Sequence, residues 1–163
     1  KVENSVIWIT NTNQIAKDNI LFFFHEKGIP PRRVIFAERT KNIEDHLARH
    51  SCADVFVDTF TYNAHSTAID SLWAGLPVIC VMGNSYHSRV SASYLTTLGL
   101  SSLIAKDTSD YEKKIIDFAN FPIKLRKIKR KLEELKTTNS LFDSSKITNH
   151  LEEIYSQLIS KIH

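Results

Sequence analysis

Glycine and cysteine are scarce in this 163-residue sequence, and long hydrophobic runs are absent. With only four glycines, the chain contains neither G-x-G-x-x-G nor G-x-x-x-x-G-K-S/T. The common glycine-rich loops that hold dinucleotides and nucleoside triphosphates are therefore excluded. No apolar stretch approaches the ~20 residues that a membrane-spanning helix needs, and no secretory signal opens the chain. We therefore expect a cytoplasmic protein that has no membrane partner.

The two cysteines, Cys52 and Cys80, lie in apolar contexts without the spacing of a metal site. We expect both to be reduced, buried, structural thiols, and we expect Trp8 and Trp73 in the core. A hydrophobic content of 42% is enough for the core of one domain. The net charge of +3 permits nucleic acid or phosphate partners without arguing for them. Because strand-forming residues follow Lys1 closely, we expect a piece of a longer polypeptide.

Short apolar runs alternate with helical patterns in the first two thirds of the chain. The predicted strands are Ser5–Thr10, Arg33–Ala37, Asp54–Asp58, Pro77–Val81 and Leu103–Ala105. The predicted helices are Gln14–Lys27, which Gly28 ends, Asn42–His50, Ser66–Ala74, which Gly75 ends, and Ser88–Leu98. Strands of this length that alternate with helices form right-handed βαβ units. The sequence therefore predicts an α/β fold, a Rossmann-like parallel sheet with helices on both faces.

Only helical patterns follow from residue 109 onward, with breaks near Phe121–Pro122 and Thr137–Ser140 and a last helix over Lys146–Ile162. We therefore expect one domain over residues 1–163 with a C-terminal helical tail over residues 109–163. Within this tail the basic run Lys124–Lys131 alternates with apolar residues at helical spacing. This pattern favours the solvated face of an amphipathic helix over a nucleic-acid site.

A polar cluster precedes the third predicted helix and consists of Asn63, His65, Ser66 and Thr67. In parallel α/β sheets, ligands bind outside the carboxyl ends of the strands, where the helix N-termini meet. Unpaired N–H groups and the helix dipole make such an end an anion site, and hydroxyls and an imidazole add further donors. We favour this interpretation. The alternative is that Asn63 or Ser66 merely caps the helix.

Asp70 lies three residues after Thr67, on the same helix face. At contact its carboxylate would repel a phosphate, but slightly further away it can accept hydrogen bonds from ribose hydroxyls. An anion site followed by a ribose acceptor suits a nucleotide. The alternative is that Asp70 is a buried partner of a backbone N–H or of Arg89.

His46 and His50 are four residues apart on a predicted helix and could share a metal ion. The glutamate of H-E-x-x-H and a third ligand are both missing, so we predict no metal site. His46, with Arg49 a turn later, could instead present a flat ring and a guanidinium to a nucleobase.

Several ordered segments resemble the C-terminal catalytic lobe of O-GlcNAc transferases, and more narrowly the bacterial SPINDLY-type members of glycosyltransferase family 41. The resemblance covers nearly the whole chain, and the run from Tyr62 to Trp73 is long enough to be highly specific. The segments that carry the resemblance are HLARH (His46–His50), ADVFVDT (Ala53–Thr59), YNAHSTAIDSLWAGLPV (Tyr62–Val78), SRVSAS (Ser88–Ser93) and LFD (Leu141–Asp143).

The resemblance implies a GT-B enzyme with two Rossmann-like lobes and upstream tetratricopeptide repeats that hold an acceptor protein. Such enzymes transfer GlcNAc from UDP-GlcNAc to serine or threonine, with inversion and without a metal ion or other cofactor. By position, His65, Ser66 and Thr67 would hold the diphosphate and Asp70 the ribose. For the uracil, His46 and Arg49 would bracket the base, and the backbone near Thr40 would read its edge. Lys41 is a candidate for the lysine that the family has in this uracil-side loop.

Two departures from the family pattern accompany this resemblance. The segment between Phe36 and His46 is one residue longer, which alters the loop on the uracil side. The phosphate-contacting lysine and the general-base groups lie upstream of Val6 or in the N-terminal lobe, so we assign no catalytic residue to this chain. Two alternatives stay open: a family 41 N-glycosyltransferase that uses UDP-glucose, and a non-catalytic Rossmann module that binds a nucleotide or a protein.

Overall fold

Residues 1–161 are described by the computed structural model, and the predicted end of the last helix at Ile162 lies outside them. Over the described residues, five short strands alternate with seven α-helices. The strands are β1 (Ile7–Thr10), β2 (Val34–Ala37), β3 (Phe56–Val57), β4 (Val78–Val81) and β5 (Ile104–Ala105). The helices are α1 (Gln14–Glu26), α2 (Ile43–Ala48), α3 (Ser66–Trp73), α4 (Val90–Thr97), α5 (Thr108–Asn120), α6 (Pro122–Leu135) and α7 (Ser144–Ser160). The predicted alternation and the helical C-terminal segment are both confirmed.

Every strand pair is parallel, as the predicted α/β class requires. β1 pairs with β2 in a two-stranded sheet, with Ile7 opposite Val34. β4 lies between β3 and β5 in a three-stranded sheet, with Phe56 opposite Val78. β3 is shorter than the predicted Asp54–Asp58, because only Phe56 and Val57 have register partners on β4.

The chain divides into two compact units, Lys1–His46 and Leu47–His163. In the first unit, α1 connects the parallel strands β1 and β2. The Arg33 guanidinium donates hydrogen bonds to Ser5 O at 2.7 Å and to Val2 O at 2.8 Å, which fixes the segment before β1. Gly28 follows α1 with φ at +72°, a conformation that favours glycine, so its predicted role in ending the helix is confirmed.

The core of the second unit surrounds β4, against which α3, α4 and α5 pack. The β4 residues from Val78 to Cys80 are completely buried. Leu72 of α3, Leu95 of α4 and Leu132 of α6 are equally inaccessible. Burial of each leucine contributes about 1.5–3 kcal/mol. This core holds the start of α3 in a fixed position next to the end of β3.

The basic run lies on α6, whose apolar side faces the core. Leu125 and Leu132 are buried, whereas Lys124 pairs with Asp117 and Arg130 pairs with Glu134 at the surface. The predicted amphipathic helix is therefore confirmed. None of the helices over residues 1–161 is long and apolar enough to cross a membrane.

Three expectations about burial are wrong. Cys52 is exposed because it ends a surface 3-10 turn, Arg49–Cys52, whereas Cys80 is buried in β4 as expected. Trp8 is 38% exposed and Trp73 is 41% exposed. Trp73 is the last residue of α3, and its ring meets the Phe142 ring in an edge contact with centroids 5.3 Å apart. Aromatic character alone does not decide which rings the fold covers.

Candidate functional site

The loop between β3 and α3 is closed by the carboxylate of Asp58. The Asp58 N–H continues the strand ladder by donating to Ile79 O at 3.0 Å. Its side chain, only 3% exposed, turns back into the loop. Oδ1 accepts hydrogen bonds from the Thr59 N–H at 2.8 Å and from the Ala64 N–H at 2.7 Å. One carboxylate oxygen therefore ties the beginning of the loop to its end.

Asn63 strengthens the same loop from inside. Its side chain is completely buried, and Nδ2 donates to Thr59 O at 2.7 Å. Its backbone N–H donates to His87 O at 2.8 Å, which joins the loop to the 3-10 turn Tyr86–Ser88.

Two helices hold the ends of the loop. The hydroxyl of Tyr111, on α5, donates to Asp58 O at 2.8 Å. The hydroxyl of Ser91, on α4, donates to Ala64 O at 3.1 Å. Hydrogen bonds within the protein therefore hold both ends of the loop.

The start of α3 is not capped by either residue that the sequence offered for that role. The N-cap position is taken by His65, with φ −100° and ψ −93°, and its side chain makes no capping hydrogen bond. Asn63 donates into the loop instead, and its Oδ1 has no partner within residues 1–161. Ser66 is the first helical residue, and both Ser66 and Thr67 are exposed. The capping alternative is wrong, and the helix start presents N–H groups together with two hydroxyls.

Three buried polar atoms of residues 58–65 have no hydrogen-bond partner among the described residues: Asp58 Oδ2, Asn63 Oδ1 and His65 Nε2. Leaving a buried polar atom unpaired costs about 1–3 kcal/mol. Buried polar atoms without a hydrogen-bond partner are uncommon in folded proteins. Their concentration in one loop marks it as a site with hydrogen-bonding capacity that the fold does not use.

Burial dominates the electrostatics of this loop. It raises the pKa of the Asp58 carboxyl above its ordinary value, against the opposing effects of the Ser91 hydroxyl, the Ala64 and Thr59 amides and the charge of His65. Burial, together with the nearby Asp58 charge, also raises the pKa of the Cys80 thiol to about 12. The fold thus keeps a costly carboxylate inside, where its hydrogen bonds shape the backbone.

Four rings gather beside the start of α3 and form a ring cluster of Tyr62, His65, Tyr86 and His87. The Tyr62 ring stacks on those of His65 and His87 with centroids 4.8 and 5.0 Å apart. Tyr86 meets His65 edge-on at 5.8 Å. Tyr62 is 57% exposed and Tyr86 is 73% exposed. A flat, partly apolar surface therefore borders the polar helix start.

The ring cluster and the buried Asp58 were both missed by reasoning from the sequence. Tyr62 lies in the segment that carries the family resemblance, which was the one available signal for it. Nothing in the local pattern pairs residues 62–65 with residues 86–87, because β4 separates them along the chain.

The eight predicted site residues divide between the two compact units. Four lie together at the start of α3: His65, Ser66 and Thr67, with Asp70 half-buried one turn further on. Arg49, half-buried, opens the 3-10 turn after α2. In the first unit, Thr40 and Lys41 lie between β2 and α2, and His46 lies on α2. The contacts of these residues with UDP stay predictions.

Comparison with known proteins identifies the family. The family model for glycosyl transferase family 41 matches residues 1–151. The chain belongs to glycosyl transferase family 41. The predicted resemblance is thereby confirmed.

Two relatives have names that state an activity. A UDP-N-acetylglucosamine–peptide N-acetylglucosaminyltransferase of Caenorhabditis elegans is 29% identical over 157 residues, which are 96% of this chain and 14% of that protein. A probable enzyme of the same name, SPINDLY, from Eustoma exaltatum subsp. russellianum is 32% identical over 143 residues, or 88% of this chain and 16% of that protein. The family 41 chain thus spans about one sixth or less of the length of these relatives.

A solved structure supports the fold. An O-GlcNAc transferase mutant of Thermobaculum terrenum matches with a TM-score of 0.87 and 21% sequence identity. The match covers 93% of this chain and 30% of that one. At this identity the likeness shows the fold alone, an α/β arrangement that an O-GlcNAc transferase also has.

Proposed function

We propose that this chain is the donor-binding lobe of an inverting, metal-independent protein O-glycosyltransferase, which transfers GlcNAc from UDP-GlcNAc to serine or threonine. The observation that carries the proposal is the start of α3, where uncapped N–H groups stand beside the His65 ring and the Ser66 and Thr67 hydroxyls. Membership of family 41 and the activity named for its relatives support the same assignment.

The start of α3 can meet part of the charge of a diphosphate. A helix N-terminus is equivalent to about +0.5 elementary charge, and each hydrogen bond to a charged group contributes about 1.5–3 kcal/mol. During transfer, the acceptor hydroxyl oxygen bonds to the sugar C1 and gives its proton to the general base, while the bond between C1 and the diphosphate oxygen breaks. Negative charge then builds up on the departing UDP. Donors that hold the diphosphate in the ground state then stabilise the leaving group more strongly.

The nucleoside is assigned to five other residues of the chain. Asp70 lies one turn beyond the diphosphate residues, where its carboxylate would accept hydrogen bonds from the ribose hydroxyls. The residues proposed for the uracil are supported by the family resemblance and not by contacts in the structure; they are Thr40, Lys41, His46 and Arg49.

The remaining parts of the reaction are assigned outside this chain. The proposal places the general base and a further phosphate-contacting lysine upstream of Val6 or in an N-terminal lobe. Tetratricopeptide repeats would present the acceptor protein to both lobes. Alone, the chain is therefore expected to bind the nucleotide and to transfer no sugar.

Binding measurements on the chain test this proposal. By calorimetry or ligand-observed NMR we expect weak binding of UDP and no tighter binding of UDP-GlcNAc, because the sugar is shared with the other lobe. ATP and NAD should bind less well than UDP. EDTA should leave the UDP affinity unchanged, because the proposal has the helix start and side chains, and no metal ion, meet the diphosphate charge.

Each alternative has its own outcome. A clear preference for ATP or NAD over UDP would contradict a UDP-sugar lobe, and strict dependence on Mg²⁺ or Mn²⁺ would indicate another glycosyltransferase class. UDP binding without transfer in the complete polypeptide would favour a non-catalytic nucleotide-binding module. Transfer of glucose from UDP-glucose to asparagine would favour the N-glycosyltransferase.

A further inference from the structure

Asp58 controls the backbone immediately before α3. Its Oδ1 accepts the Ala64 N–H at 2.7 Å, and Ser91 Oγ donates to Ala64 O at 3.1 Å. The peptide groups on both sides of Ala64 are therefore held by side chains that are themselves buried. Ala64 directly precedes His65, so these two hydrogen bonds decide the direction in which the chain enters the helix.

The entry direction matters because His65 has a backbone conformation outside the helical region, with ψ at −93°. In this conformation its carbonyl accepts the Ala68 N–H at 3.1 Å and the Ile69 N–H at 3.2 Å, which leaves the amides of Ser66 and Thr67 at the open helix end. A different orientation of the His65 peptide would turn the imidazole and both amides away from their present positions.

The Asp58 carboxyl group is buried and hydrogen-bonded inside the loop. A buried carboxylate is costly unless hydrogen bonds compensate it, and the two that Oδ1 accepts lie 2.7–2.8 Å from their donors. Both donors are backbone amides of the loop, and the Asp58 side chain is sealed from solvent. Through Oδ1, Asp58 therefore shapes the loop.

We propose that Asp58 is a positioning residue of the diphosphate site, which sets the orientation of His65 and of the Ser66 and Thr67 amides through its hydrogen bond to Ala64. This inference rests on the proposed function. It predicts that changes at Asp58 weaken the binding of the diphosphate and spare that of the nucleoside.

The test compares UDP and uridine affinities for D58A, D58N and the unchanged chain. D58A removes the acceptor, so UDP affinity should fall about ten-fold or more, the effect of one lost hydrogen bond to a charged group. Uridine affinity should stay within about two-fold. D58N keeps an oxygen that can accept from both amides and should restore most of the UDP affinity. The amide NMR signals of Ser66 and Thr67 should shift in D58A and return in D58N.

A matched control separates positioning from stability. Asp107 caps α5 by accepting the Asp110 N–H at 2.8 Å, so D107A removes a similar carboxylate-to-amide hydrogen bond in another part of the chain. It should lower the melting temperature and leave the UDP affinity unchanged. If D58A does not fold, D58S serves instead, since its hydroxyl is one bond too short to hold the Ala64 amide.

Three results have distinct meanings. If D58A and D58S bind UDP as tightly as the unchanged chain, or lose UDP and uridine affinity in parallel, Asp58 has only a structural role and the inference is wrong. If H65A and T67A weaken UDP binding while the Asp58 variants do not, the proposed function holds and the positioning role is overturned. If the unchanged chain does not bind UDP, the proposed function itself fails.

Discussion

Replacing Ser66 with alanine separates the diphosphate site from ordinary helix capping. Ser66 is exposed, it is the first residue of α3, and the N-cap position before it belongs to His65. Removing its hydroxyl should therefore change the free energy of unfolding by less than about 0.5 kcal/mol. Had Ser66 been a capping residue, the expected loss would be about 1 kcal/mol.

The effect on binding should be large by comparison. A hydrogen bond from the Ser66 hydroxyl to a charged phosphate oxygen contributes about 1.5–3 kcal/mol, which corresponds to a loss of about ten- to a hundred-fold in UDP affinity. T67A should behave in the same way. Uridine, which has no phosphate, should bind S66A and T67A as it binds the unchanged chain. Replacing Asp70 with asparagine should instead weaken UDP and uridine alike, because both contain ribose.

The assay is calorimetry or ligand-observed NMR for affinity, with thermal unfolding followed on the same samples. S144A is the matched control, because Ser144 is also the exposed first residue of a helix, α7. It should alter neither stability nor UDP binding. If S66A lowers the melting temperature while the UDP affinity holds, the start of α3 is not an anion site and the reasoning is refuted.

Two further predictions follow from burial in the second unit. Because burial raises the pKa of Asp58 above its ordinary 3.8, the folded state binds this proton more tightly than the unfolded state. The free energy of unfolding of the unchanged chain should therefore rise relative to that of D58N as the pH falls from neutral toward 4. Chemical unfolding that gives the same free-energy difference between the two proteins at every pH would contradict this. The Cys80 thiol is buried and has a pKa of about 12, so it should resist alkylation in the folded chain at pH 8, whereas exposed Cys52 should react. If peptide mass mapping finds both cysteines modified equally, the reagent reaches Cys80 and the predicted protection is wrong.

The sequence by itself determined the order of the elements, because helices and strands follow from local periodicity. Gly28 and Gly75 were identified as helix ends for the same local reason, and both adopt the positive φ that such ends require. The cluster at the start of α3 was also predictable, since His65, Ser66 and Thr67 are adjacent along the chain. The family resemblance depended on such contiguous segments as well.

Tertiary structure decided which of these polar residues form bonds within the protein. The Asp58 carboxylate accepts the Ala64 N–H, the Asp58 carbonyl accepts the Tyr111 hydroxyl, and the Ala64 carbonyl accepts the Ser91 hydroxyl. These groups meet only where the helices pack against β4 in the folded chain. Sequence pattern could not show that Asn63 bonds to Thr59 and leaves the helix start uncapped. The sequence pattern also could not predict that the Tyr62 and His87 rings stack, because α3 and β4 separate these residues along the chain. Burial depends on neighbours distant in sequence, and for that reason only the fold could place Cys52 and Trp73 at the surface and Asp58 inside.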